Sequence, residues 1–387
     1  MASASHNPYA AAGVDTAAGD LAVELMKSAV RATHGSEVLG GVGGFAGLFD
    51  ARALRDFQHP LLATSTDGVG TKIAIARAID KHDTVGIDLV GMVVDDIVVV
   101  GARPLFMTDY IACGKVVPTR IAEIVAGIAR GCAETGTALV GGETAEHPGL
   151  LADDDYDIAG AATGVVEASD VLGHDRIVAG DVVLALASSG LHSNGFSLVR
   201  RIVTERGIAY TDRADDLGVA TSWGEALLEP TRLYTTPLLR LVDELRPGAG
   251  VHALSHVTGG GIAANLARVL PQGTWVDVDR ATWSPPPVFR VLADAGRIAL
   301  EQTEGTWNLG IGFLAVVSAD QADAAVSALG RDGIAAWPVG VVRDDALPAG
   351  DFEQGAKGVD GGAVRLVGNY ADGGSATAAA AGTDGAQ

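Results

Sequence analysis

A chain of 387 residues, 48% of them hydrophobic, is long enough for two domains of the usual ~100–200 residues, each with a core. A formal net charge of −21 argues against nucleic acid or an anionic membrane as partner, because both are polyanions, yet leaves small phosphate-bearing ligands open. Aromatic content of 5% argues against base-stacking platforms, and two cysteines, Cys113 and Cys132, are too few for a disulfide framework and read as reduced thiols.

Residues 1–18 are small and polar and read as an arm. They lack the basic flank and apolar run of a signal peptide. Leu21, Leu25, Met26, Ala29 and Val30 recur at helical spacing and predict a helix ending near Thr33. Gly40-Gly41-Val42-Gly43-Gly44-Phe45 follows as a linker or a flap over a ligand. Strand Leu61 to Ala63, helix Lys72 to Ile79 and a longer helix, Val85 to Val100, come next. Asp95 and Asp96 interrupt the most apolar stretch, so no run reaches the length of a membrane span and a soluble, cytoplasmic protein is expected.

Leu105 to Ala112 reads as a strand. Ile121, Ile124, Val125, Ile128 and Cys132 make one helical stripe that Gly136 should cap. Thr137 to Val140 and Tyr156 to Val166 read as strands. Polar turns near 170–180 suggest a boundary between domains 19–175 and 176–369. The second half adds strand Val182 to Ala187, helix Phe196 to Ile202, helices near 223–245 and 262–269, and strands near 274–278 and 311–317. Helix 320–329, strand 336–342 and a last strand, Ala363 to Val367, follow. The tail, 370–387, has little to bury and should be disordered. Mixed strands and helices indicate an α/β or α+β class.

Ser65-Thr66-Asp67-Gly68-Val69-Gly70-Thr71-Lys72 carries a carboxylate, three hydroxyls, two glycines and a lysine, the donors that meet phosphate oxygens and Mg²⁺. Its order is wrong for a Walker A loop, and alone it reads equally as a polar turn. A second acidic, glycine-rich loop, Gly141-Gly142-Glu143-Thr144-Ala145-Glu146-His147-Pro148-Gly149, favours a metal-nucleotide site. Asp88 and Asp95, seven apart, share a helix face, with Asp96 beside it, and carboxylates in an apolar helix are costly unless paired or metal-bound. Ser188-Ser189-Gly190-Leu191-His192-Ser193-Asn194-Gly195 opens a helix after a strand, a place where free amides bind phosphate. Capping explains Ser193 or Asn194 but not His192, a candidate for substrate contact or proton transfer. Thr258-Gly259-Gly260-Gly261 repeats the design. No Ser-His-Asp elbow, zinc spacing or dinucleotide fingerprint occurs in the sequence.

Taken in order, these motifs resemble the phosphoribosylformylglycinamidine cyclo-ligase (aminoimidazole ribonucleotide synthetase) family, from Tyr9-Ala10-Ala11-Ala12-Gly13-Val14-Asp15 to the strand at Val367. His82-Asp83-Thr84-Val85-Gly86-Ile87-Asp88-Leu89-Val90 and Asn308-Leu309-Gly310-Ile311-Gly312 belong to the match. The family usually has Asn-Asp at Asp95-Asp96, Met at His147 and Thr at Cys113, which leaves open whether Asp95 or Asp96 would bind metal.

The resemblance implies two α/β domains and a homodimer whose amino-terminal domains pair their sheets into a β-barrel. It implies a mixed sheet with helices in the second domain. The reaction it implies is ATP-dependent closure of formylglycinamidine ribonucleotide to aminoimidazole ribonucleotide. ATP and Mg²⁺ would be held by Gly41, Gly43, Gly44, Thr66, Asp67, Gly68, Thr71, Lys72, Asp88, Gly141, Gly142 and Glu143. Of these, Asp67 and Glu143, with Asp95 or Asp96, would ligate the metal, and Lys72 would meet the ATP phosphates. Substrate would lie on Ser188, Ser189, His192, Ser193, Asn194, Thr258, Gly259, Gly260 and Asn308, with His192, Asn194 and Lys72 catalytic. Two alternatives are another ATP-using enzyme of the superfamily, of the thiamine-phosphate kinase or selenophosphate synthetase kind, and a nucleotide-binding module without turnover.

Overall fold

In the computed structural model, which describes residues 15–41, 43–246 and 250–371, the first element is helix α1, Thr16–Ala32. The expected arm up to residue 14, Val42 and the tail from residue 372 lie outside the described residues. Asp15 starts α1 earlier than apolar spacing predicts, because its carboxylate accepts from the amides of Ala17 and Ala18. The buried face is also shifted: Ala22 and Val30 are buried, while Leu21 and Leu25 are exposed.

A two-stranded ribbon, β1 (Val38–Leu39) and β2 (Leu48–Phe49), leads to a four-stranded sheet. Its strands are β3 (Pro60–Gly68), β4 (Arg103–Cys113), β5 (Ala138–Glu146) and β6 (Tyr156–Glu167), in the order β3-β6-β4-β5. The β4–β5 pair is parallel and the other two pairs are antiparallel. Helices α2 (Ile73–Ala78), α3 (Val85–Val98) and α4 (Pro118–Thr135) fall between these strands in the chain. Twelve of the 14 residues of α3 are buried, all but Asp88 and Asp95 of them apolar or glycine, the pattern of an interior helix. Gly86 of α3 has no room for a side chain, since a Cβ there would strike the backbone of α4 at Ile124 and Ile128. Gly136 ends α4 in the left-handed conformation (φ 67°), the cap expected from the sequence.

Strands β3 and β5 run five or six residues beyond the expected ends, so the acidic segments at Asp67 and Glu143 are strand, not loop. The ladder pairing β3 with β6 continues to Gly68, and that of β4 with β5 to Glu146, which satisfies backbone groups that a loop would leave to water. No closed barrel forms among the described residues; this sheet is open.

The chain divides into two compact units. The first holds residues up to Val171 together with His192–Asp215 and Val219–Arg240, and the second holds Leu172–Leu191, Asp216–Gly218 and the chain from Leu241. Helices α5 (Phe196–Arg206) and α6 (Trp223–Leu227) therefore belong with the first unit, and α7 (Thr235–Leu245) starts there. In the second unit, β7 (Val182–Ala187), β8 (Val251–His256), β10 (Ile311–Val317) and β11 (Ala336–Val341) form an antiparallel sheet ordered β11-β7-β10-β8. Strands β9 (Trp275–Asp279), β12 (Glu353–Ala356) and β13 (Val359–Val367) form a smaller mixed sheet. Helices α8 (Gly261–Val269), α9 (Pro287–Gly296) and α10 (Ala322–Arg331) complete it. Leu266, Val276, Val316 and Val364 lie in its core.

Candidate functional site

Register across the first sheet fixes which side chains share a face. Asp67 pairs with Gly160, Gly160 with Asp109, and Asp109 with Gly142. The next row is Gly68, Ala159, Tyr110 and Glu143. Neighbours along a strand point to opposite faces, so Asp67 and Glu143 point away from each other. Among the described residues no three His, Cys, Asp or Glu side chains gather as metal ligands.

Asp67, Gly68 and Thr71 instead line a cleft of about 530 Å³ with Ser193, Asn194 and the first turn of α5. Gly195 opens that helix at φ 77° and no side chain caps it. Asp67 Oδ1 accepts from the Gly68 amide at 2.7 Å, and Thr71 Oγ1 lies 3.2 Å from Ser197 Oγ. Ser193 Oγ donates to the Val69 carbonyl at 2.8 Å, which ties the 193–195 turn to the end of β3. Asn194 Nδ2 lies 3.3 Å from Met92 Sδ. Thr66 faces the other way and donates to the Gly160 carbonyl at 2.9 Å. Sequence reasoning missed Asp157 of β6, which lines the same cleft; its signal was an acidic residue at the edge of a strand that begins Tyr156-Asp157-Ile158.

Four expected ligands are structural here. Lys72 is fully buried, and its three protons go to Asp88 Oδ1 (2.8 Å), the His192 carbonyl (2.9 Å) and the Glu229 carbonyl (2.7 Å). An ammonium has three donors, so none remains for an ATP phosphate. Asp88 is equally buried, and the same Oδ1 accepts from the Thr231 amide and hydroxyl at 2.8 and 2.7 Å. Burial pushes the Asp88 carboxyl up and the Lys72 ammonium down, and the ion pair opposes both shifts. Asp95, also buried, accepts from the Tyr234 amide (3.1 and 3.2 Å) and from Thr235 Oγ1 (2.7 Å), at the start of α7. Its carboxylate thus serves a helix start. His192 holds a left-handed conformation (φ 60°), and its ring is 1% exposed, 6.0 Å from Tyr234. It is a buried turn residue that does not line the cleft. Asp96, by contrast, is exposed.

Gly41, Gly43 and Gly44 meet Gly141, Gly142 and Glu143 in a second pocket of the first unit, of about 250 Å³. Ala22 and Met26 of α1 and Val125 of α4 supply apolar walls. Asp109 lies in it, and burial raises its carboxyl to about 7. Sequence reasoning missed this residue too, since Leu105 to Ala112 read only as a strand.

In the second unit, Ser188 Oγ donates to the Gly190 carbonyl at 2.9 Å, and so does Asn308 Nδ2, also at 2.9 Å. Asn308 Oδ1 accepts from the Gly310 amide at 2.9 Å, so this residue braces the turn containing Ser189. Thr258 and Gly259 lead to Gly260, which opens α8 at φ 107° without a side-chain cap. Asn265 Nδ2 donates to the Thr258 carbonyl at 3.2 Å and holds that turn on the helix.

Comparison with known proteins agrees with this architecture. Models of the AIR synthase related protein match the chain, the N-terminal domain over residues 50–166 and the C-terminal domain over residues 178–350. A phosphoribosylformylglycinamidine cyclo-ligase of Thermosynechococcus vestitus (strain NIES-2133 / IAM M-273 / BP-1) is 48% identical over 334 residues, 86% of this chain and 96% of the relative. One of Sorangium cellulosum (strain So ce56) is 49% identical over 335 residues, 86% of this chain and 94% of the relative. Among solved structures, thiamine-monophosphate kinase from Stenotrophomonas maltophilia K279a gives a TM-score of 0.58 at 20% identity, covering 90% of this chain and 97% of that one. E. coli HypE, a hydrogenase maturation protein, gives 0.58 at 20% identity, covering 92% and 95%. At that identity the two structures speak for the fold alone.

Proposed function

Because the chain belongs to the phosphoribosylformylglycinamidine cyclo-ligase family, we propose that it closes formylglycinamidine ribonucleotide to 5-aminoimidazole ribonucleotide in an ATP-dependent step of purine biosynthesis. The observation that carries this reading is 48% identity over 96% of a relative's length. ATP, when bound, supplies the phosphoryl group that makes the formamide oxygen of the substrate a leaving group. The attacking nucleophile is the substrate's own amidine nitrogen, so the protein's part is to position, neutralise charge and exclude water.

The cleft at Asp67 fits the phosphate end of that chemistry. The uncapped first turn of α5 offers backbone amides to anionic oxygens, with the hydroxyls of Thr71 and Ser197 beside it. Asp67 and Asp157 are carboxylates of the same cleft. Mg²⁺ characteristically takes one or two carboxylates and completes its shell with water and phosphate oxygens, so Asp67 suits it and would hold it. Lys72 acts one layer back, fixing the 192–195 turn from inside. The turn Thr258-Gly259-Gly260 before α8 offers a second amide-rich helix start, which we assign to the substrate phosphate.

We further infer a homodimer through the open face of the first sheet, a face that carries exposed Leu62 (62%) and Tyr110 (43%) among small side chains. No helix among the described residues is long and apolar enough to cross a membrane, and a cytoplasmic location goes with this reading. The test is incubation with formylglycinamidine ribonucleotide, ATP and Mg²⁺. We expect aminoimidazole ribonucleotide to appear with one phosphate released per ring closed. Phosphate release without the aminoimidazole product, or neither, overturns the assignment.

A further inference from the structure

Residues 366–371, at and beyond the end of β13, are tied to the second unit at several points. Arg280 Nη1 donates to the carbonyls of Leu366 (2.9 Å) and Gly368 (3.1 Å). Arg290 Nη2 donates to the Ala371 carbonyl at 2.9 Å, and the Ala371 amide donates to the Trp283 carbonyl at 3.1 Å. Tyr370 lies between these ties, its ring edge-on to Trp283 with centroids 5.3 Å apart. Chain ends fray unless tied down, and these ties converge on one short segment, residues 304–309.

Glu304 is the first point of convergence. Its carboxylate accepts from Arg280 Nε (2.6 Å) and Nη2 (2.9 Å) as a two-pronged pair, and Oε1 also accepts from Tyr370 Oη at 2.6 Å. Burial and then the bond to Glu304 push the Tyr370 phenol up, so it stays a donor near neutral pH. The backbone carbonyl of the same Glu304 lies against Gly261, where a Cβ would strike it. Gly261 (φ 71°) closes the Thr258-Gly259-Gly260 turn, its amide donating to the Thr258 carbonyl at 3.1 Å. At the other end of the segment, Trp283 Nε1 donates to the Leu309 carbonyl at 3.0 Å. The adjacent Asn308 braces the turn at Ser189 through the Gly190 carbonyl. Trp307, fully buried, fixes the middle. One segment thus lies against both glycine turns, and residues 366–371 with Arg280 and Trp283 hold that segment as a clasp.

We propose that Tyr370 and Arg280 are positioning residues for the ribonucleotide: acting through Glu304, they keep the 258–261 turn in the form that receives substrate. The proposal rests on the reading of that turn as the site of the substrate phosphate. Neither side chain touches substrate in this scheme. Amides hold an oxyanion well only when several point at one place, and Gly260 and Gly261, both at positive φ, leave a free turn many other shapes. The clasp removes those shapes in advance and so lowers the entropic cost of binding. It does nothing at the reacting carbon, so its signature is substrate affinity at constant turnover.

Tyr370→Phe removes one oxygen and keeps the ring on Trp283, and Arg280→Lys keeps the charge and loses the fork. In the full chain they should raise KM for formylglycinamidine ribonucleotide by about fivefold and about tenfold, with kcat and KM for ATP unmoved. Arg331→Ala, which breaks an exposed ion pair with Glu244, should leave both KM values in place. Ribose 5-phosphate, titrated calorimetrically with ADP and Mg²⁺ present, makes the same comparison without turnover, and its affinity should fall by the same factors. Wild-type KM in both variants, equal rises in the two KM values, or a lower kcat at wild-type KM overturns the clasp. Ribose 5-phosphate affinity that follows residues 280 and 370 in a chain without ring-closing activity keeps the clasp and sinks the proposed function. Ring closure with both variants unaffected does the reverse, and a chain that neither closes the ring nor binds ribose 5-phosphate overturns both.

Discussion

Lys72→Met separates a phosphate ligand from a buried anchor. The substitution keeps much of the side chain's volume and removes a charge that sits 2.8 Å from Asp88 with neither side chain exposed. Breaking a buried ion pair on one side typically costs about 3–5 kcal/mol, because the other charge stays behind. The His192 and Glu229 carbonyls lose their donor as well, at about 1–3 kcal/mol each where no water replaces it. These losses overlap, and about 4 kcal/mol is the expected total. That is a large share of the ~5–15 kcal/mol that holds a domain together. Urea unfolding followed by far-UV circular dichroism should show the first transition at a clearly lower midpoint. Adding Asp88→Asn should restore part of the loss, since the stranded carboxylate is gone while Thr231 keeps an acceptor. A Lys72→Met chain that unfolds at the wild-type midpoint, with only its KM for ATP raised, would refute the anchor and return Lys72 to the phosphates.

Four further outcomes are expected. Asp67→Asn should raise the Mg²⁺ concentration needed for half-maximal turnover several-fold while leaving the urea midpoint in place; an unmoved Mg²⁺ requirement removes Asp67 from the metal site. Asp95→Ala should lose about 1–2 kcal/mol with the start of α7, and Asp95→Asn less than about 1 kcal/mol, neither changing the Mg²⁺ requirement. His192→Gly should be more stable than His192→Ala by about 1 kcal/mol in thermal unfolding, because φ 60° suits glycine; the reverse order would deny the left-handed turn. The Asp109 carboxyl is raised from 3.8 to about 7 on folding, so the folded chain binds the extra proton and its stability falls as pH rises through that window. At about 1.36 kcal/mol per unit the loss is at most about 4 kcal/mol. Comparing urea midpoints at pH 5 and pH 8, Asp109→Asn should lose that slope, and an identical slope in both chains would count against the burial of this acid.

The sequence resolved what is local and periodic. The stripe from Ile121 to Cys132 and its glycine cap are written within one helix, and the structure has both. Strand ends were harder, because Asp67 lies in a strand through its pairing with Gly160 and Glu143 through its pairing with Tyr110, both far away in the sequence. Asp88 and Asp95 show the limit most clearly. Their seven-residue spacing correctly put two carboxylates on one face of a buried helix, and the cost of burial correctly demanded a partner. The partners that the structure shows are Lys72, Thr231, Tyr234 and Thr235, and three of those four lie about 140 residues downstream. Composition cannot distinguish a cation from an ammonium and a row of backbone amides, since each satisfies the same electrostatic demand.

The same partners account for the way the chain divides. Segments 192–215 and 219–240 follow the strand β7 of the second unit yet belong with the first. Lys72 takes the His192 and Glu229 carbonyls, Asp88 takes Thr231, and Asp95 takes the start of α7, so three charged groups of the first 100 residues hold that return. The return also brings Ser193, Asn194 and the first turn of α5 to Asp67 and Thr71. A boundary drawn from turn-rich sequence near residue 175 would separate the two sides of that cleft. Lys72, Asp88 and Asp95, which look like nucleotide or metal ligands in the sequence, thus build the cleft from behind. Its surface is shared by Asp67, Thr71, Ser193 and Asn194 with Asp157 and Ser197, which the sequence did not single out.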